Sequence, residues 1–171
     1  MNWTVFIIEA VVLCVVFHLI IYRMVMNAQA HPDMVANGYH PAIVQRMIDL
    51  GKAEVRDVPS RWERIKKKWP AAIVIGILLG LVVYFLNGCR TFLSGFLVSY
   101  ALWLIVDWYD ALVIDILWFC HSKSCILPGT EDMTDVYHDY GYHIRSSAVG
   151  MLIGLPVCLV IGLTVQVLAM L

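Results

Sequence analysis

Charge is what this sequence has least of: 15% of its 171 residues are Asp, Glu, Lys or Arg, against 61% apolar. A water-soluble domain carries nearer about a quarter charged residues, so an ordinary soluble fold is excluded. The formal net charge is −1. A chain without a basic field has no electrostatic footprint for nucleic acid, and no such partner is expected. There is no glycine-rich phosphate cradle and no Cys-x-x-Cys pair, which removes phosphate-loop nucleotide chemistry and quinone-linked dithiol chemistry. The five cysteines (Cys14, Cys89, Cys120, Cys125 and Cys158) are odd in number and scattered. Three lie in apolar stretches, where Cys behaves as a small hydrophobe, so a disulfide framework is not expected. Cys120 and Cys125 do not match a structural zinc motif and have no second pair.

What the chain has instead is long apolar runs. Helix rise of about 1.5 Å per residue and a hydrocarbon layer of about 30 Å require roughly 20 mostly apolar residues per crossing. Segments 3–26, 70–87, 91–119 and 147–171 qualify. The expected fold is therefore all-α: a polytopic, four-transmembrane-helix bundle in one membrane domain, 1–171, with short amphipathic cytoplasmic helices. Asn87, Gly88, Cys89 and Arg90 suit a tight reversal, making spans two and three an antiparallel hairpin. The first run is read as a span, not a signal peptide: it is too long for a signal core and no basic segment precedes it. Lys and Arg concentrate in loop 27–69, while the opposite side offers only Arg90. The positive-inside rule then places loops 27–69 and 120–146 in the cytoplasm and both termini outside.

Loop 27–69 carries local order. Pro41 suits the first turn of a short helix that Gly51 ends. Ile43, Val44, Met47 and Leu50 give that helix an apolar stripe. Ser60 and Glu63 match a capping box. Trp62, Ile65 and Trp69 then alternate with Arg61, Arg64, Lys66, Lys67 and Lys68, a pattern that suits the headgroup layer. Arg64, Lys67, Trp62, Trp69 and Arg145 are the expected contacts for membrane lipid or an anionic headgroup.

Small residues recur every four positions in span four (Gly150, Gly154, Cys158, Gly162) and span two (Ala72, Gly76, Gly80). Close helix approach in a bilayer depends on such stripes. Each is expected to be a helix contact, with the other stripe or with a second copy in a homo-oligomer. Pro156 is expected to kink span four.

Span three holds the chemistry-bearing residues. At 100° per residue, Asp110 lies about 60° from Asp107 and His121 about 40° from it on the same side, while Asp115 lies about 80° the other way. Tyr100, Trp103 and Trp118 share the Asp107 sector. An ionised carboxylate at bilayer depth costs at least about 2.5 kcal/mol, so these acids are expected to face the bundle interior or a cytoplasmic recess. Asp115 is read as interfacial. The catalytic candidates are Asp107, Asp110 and His121. A turn around Gly141 would bring His138 towards His143, so that Asp107, Asp110, His121, His138 and His143 would hold a divalent metal such as Zn, Mn or Fe(II). In span one, Glu9 and His18 fall on opposite faces; His18 is expected either to hydrogen-bond within the bundle or to meet the span-three acids.

Three functions follow. The first is a membrane-embedded enzyme with a cytoplasm-facing site acting on a lipid or other amphiphile, using a metal-polarised water or a proton-sharing aspartate pair. The second is a small oligomeric proton or cation transporter, since aspartates within spans mark ion pathways. The third is an assembly or structural subunit. The outer halves of the spans lack acids apart from Glu9, which ranks the enzyme first.

Overall fold

The computed structural model describes residues 2–31, 39–53 and 61–171, without the side chains of 61, 62, 64 and 65. Among the described residues the chain is helical and has no strand: α1 (Trp3–Ala30), α2 (Pro41–Asp49), α3 (Arg61–Phe85) and α4 (Phe92–Tyr109) come first. A π-helical segment (Asp110–Trp118) continues α4, followed by two short 3-10 turns, α5 (Thr134–Tyr137) and α6 (Tyr140–Met170). Four helical stretches are long and apolar enough to cross a membrane: Trp3–Ala30, Lys66–Phe85, Phe92–His121 and Thr134–Met170. Expected span four begins earlier than its apolar run, because Asp139 caps the helix by accepting the Tyr142 amide at 3.0 Å. The helix continues through Pro156 to Met170. The reversal after α3 forms as expected, with Gly88 at φ 72°, a backbone state that glycine adopts without penalty.

The chain divides into two compact units. The first comprises Met1–Cys14, Val58–Asp107 and Ala148–Leu171. Its core is Val83, Cys89, Val98, Leu102, Ile161 and Val165. The small stripes work here as contacts between helices of one chain. A Cβ on Gly76 would stand 2.8 Å from Val160 Cγ1, and one on Gly80 would stand 2.6 Å from Thr164 Cβ. Span two thus packs its glycines on the Val160 and Thr164 face of α6, not on the glycines of α6. Those glycines receive α4: Gly150 faces the Asp107 carboxylate, Gly154 the Trp103 indole and Gly162 the Phe92 ring. Trp103 Nε1 donates to the Gly150 carbonyl at 3.1 Å and Tyr100 donates to the Met151 carbonyl at 3.4 Å. These aromatics are half-buried with their polar ends satisfied. Large apolar side chains on the other faces point outward, including Leu93, Leu97, Leu152, Ile153 and Val167. That much exposed hydrocarbon is a liability in water and a match to lipid.

The second unit comprises Val15–Asp57 and Trp108–Ser147. Its α2 starts at Pro41, where His40 Nδ1 accepts the Ala42 amide at 3.2 Å. It ends as expected at Gly51, whose φ is 67°. The Gly51 amide donates to Ile48 O and the Lys52 amide to Met47 O, each at 2.9 Å, a paired closure that satisfies the last carbonyls. Ile43 and Met47 are fully buried among Val25, Ala28, Tyr39, Phe119, Cys125, Leu127 and Tyr137, while Leu50 is largely exposed. The loop after the π segment is tied to this core by hydrogen bonds. Tyr39 donates to Cys125 O at 3.2 Å, Gln29 to Ile126 O at 3.2 Å and Lys52 to Pro128 O at 2.8 Å. The capping box at Ser60 and the Trp62 and Arg64 side chains lie outside the described residues.

Candidate functional site

The π segment decides which polar groups meet. In an α-helix, residues five apart point about 140° away from each other. A π-helix closes its hydrogen bonds over five residues, so i and i+5 come round towards one face. The Phe119 amide donates to Ile114 O and Asp115 O, and the Asp115 carboxylate reaches an imidazole. That imidazole is His143, in the second turn of α6. Its Nδ1 lies 2.8 Å from Asp115 Oδ2, with side chains 8% and 25% exposed. Cys120 is buried and contributes to the electrostatic environment of the ring. Phe119 supports the ring edge-on at 5.9 Å between centroids. With Nδ1–H committed to the carboxylate, Nε2 is the nitrogen left for a thiol proton. Asp115 thus orients His143, and a thiol at the other ring nitrogen would complete a carboxylate–imidazole–thiol series.

Asp107 lies in the first unit against Gly150, and Asp110 opens the π segment. His121, at the exposed end of the segment, has its Nε2 3.2 Å from the Tyr140 hydroxyl. His138 lies beside it, with ring centroids 5.4 Å apart. His138 and His143 do not converge as expected, because Gly141 lies within the first turn of α6 and is not a reversal. Trp118 packs on His18 at 5.9 Å. Among the described residues, no group of three or more His, Cys, Asp or Glu side chains is placed to hold a metal ion. His18 takes the bundle-internal alternative: its Nδ1 lies 3.1 Å from the Tyr109 hydroxyl. Lys67, Trp69 and Arg145 are all exposed.

Two further polar features flank the thiol series. Burial, helped less by neighbouring Cys120, pushes the Cys125 thiol above its ordinary range, so this second thiol is held neutral. Glu131 accepts the Gly129 amide at 2.8 Å and 2.9 Å, and that backbone contact holds its exposed carboxyl below the usual range. Sequence reading missed the pairing of Asp115 and Cys120 with His143, because a 3.6-residue wheel separates them. The only signal was their spacing of five. The chain matches no family model, no curated protein and no solved structure.

Proposed function

We propose that this chain is a multi-pass membrane enzyme that transfers or hydrolyses acyl groups on a lipid or other amphiphile, with Cys120 as nucleophile. The observation that carries the reading is the 2.8 Å contact between His143 Nδ1 and Asp115, with the buried Cys120 thiol contributing to the electrostatic environment of that imidazole. Asp115 fixes the imidazole tautomer; His143 takes the thiol proton as Cys120 Sγ forms a bond to the acyl carbonyl carbon. The bond to the leaving oxygen or sulfur breaks, and His143 returns the proton to it. An acceptor hydroxyl, thiol or water then gives its proton to His143 and takes the acyl group from Cys120.

The membrane setting is supported by four apolar helices of spanning length. The distribution of Lys and Arg supports loops 27–69 and 120–146 on the cytoplasmic side. Exposed Lys67 and Trp69 at the start of α3 suit contact with anionic headgroups.

The test is acyl capture from palmitoyl-coenzyme A by detergent-purified protein. Wild type is expected to hold hydroxylamine-labile palmitate, lost in Cys120→Ala and reduced by about 10²–10⁴-fold in rate in His143→Gln. Label that persists in Cys120→Ala, or none in wild type with thioester and ester donors alike, would overturn the assignment.

A further inference from the structure

The first unit contains a buried polar pair that the proposed acyl chemistry does not use. Asn87, in the turn after α3, is fully buried. Its Nδ2 donates to Glu9 Oε2, on α1, at 2.7 Å, and its backbone carbonyl accepts the Asn2 amide at 3.0 Å. That leaves two acceptors, Glu9 Oε1 and Asn87 Oδ1, buried and without a hydrogen-bond partner. A buried acceptor left unmade costs about 1–3 kcal/mol, and more when it carries charge. The nearest cation in sequence does not answer them. Arg90 donates to the Tyr84 and Cys89 carbonyls, and its guanidinium sits 3.8 Å over the Tyr84 ring.

We infer that Glu9 Oε1 and Asn87 Oδ1 are ligands for a monovalent alkali cation. A carboxylate and an amide carbonyl are hard oxygen donors, the kind that alkali and alkaline-earth ions take. One formal negative charge on the pair matches one positive charge on the ion. Binding satisfies both acceptors together and neutralises the carboxylate, whose burial at bilayer depth is otherwise unfavourable. The Asn87 Nδ2 bond to Oε2 fixes the carboxylate plane, so the site is partly organised before the ion arrives. The inference is independent of the Cys120 chemistry and stands or falls without it.

The test is thermal unfolding of the whole chain in detergent, in sodium, potassium or tetramethylammonium chloride at equal ionic strength. Wild type is expected to gain about 3–5 °C for each tenfold rise in sodium or potassium above the dissociation constant. Tetramethylammonium presents only methyl groups and is too large for a buried site between two side chains, so it is expected to give no gain. Glu9→Gln is expected to abolish the response and Asn87→Ala to weaken it. Equal melting in all three salts would overturn the site, and that comparison needs only wild type should a variant fail to fold. An ion response retained in Glu9→Gln would overturn it equally.

Discussion

Removing the Asp115 carboxylate charge should cost stability in a way that reports on His143 alone. The contact is 2.8 Å, with side chains 8% and 25% exposed. Hydrogen bonds to a charged group contribute about 1.5–3 kcal/mol. Breaking a buried pair by removing one partner costs about 3–5 kcal/mol, because the survivor is left uncompensated. Asp115→Asn keeps an acceptor oxygen, so its loss should sit near the lower figure, about 1.5–3 kcal/mol. Asp115→Ala leaves the imidazole without its partner and should approach about 3–5 kcal/mol. The double variant Asp115→Ala/His143→Gln should recover part of that loss, giving a coupling energy of at least about 1.5 kcal/mol. The assay is equilibrium unfolding in mixed micelles followed by tryptophan fluorescence, all four proteins side by side. Additivity within about 0.5 kcal/mol would refute the pairing, since contacting residues do not add. A purely structural pair predicts the same stability cycle as a catalytic one. Palmitate capture separates the two, because a structural pair leaves the capture rate of the folded Asp115→Asn protein unchanged.

Two other outcomes follow from the second unit. Ile43→Ala and Met47→Ala each empty a fully buried position and should each cost about 2–5 kcal/mol; limited proteolysis between α2 and the 120–139 loop should accelerate in step. Burial first, then nearby Tyr137 and Cys125, pushes the Tyr39 phenol above its ordinary range. Its folded value therefore exceeds its unfolded value, so this contribution is complete below pH about 10 and is lost as pH rises beyond it. Tyr39→Phe should lose about 1 kcal/mol at pH 8 with its hydrogen bond, and then decline less steeply than wild type in alkali. Parallel alkaline profiles would show that Tyr39 does not govern that decline.

The four helices of spanning length, the turn at Gly88 and the α2 helix from Pro41 to its Gly51 stop were all legible in the sequence. Each rests on local chemistry: run length, a glycine able to adopt positive φ, a proline without an amide to lose. The small stripes were legible as contact faces too, because room for a neighbouring backbone or ring is written into glycine itself. Which neighbour fills that room was not, since Trp103 against Gly154 and Val160 against Gly76 depend on how whole helices align. The candidate site was least legible. Asp107, Asp110 and His121 were grouped on 3.6 residues per turn, while the segment from Asp110 to Trp118 is π-helical. Asp115 meets His143 across nearly 30 residues of sequence. The pairing of Glu9 with Asn87 across 78 positions was equally beyond any local rule. Residue identity determined which groups needed partners; only tertiary packing, which sets helix register and rotation, decided which partners they found.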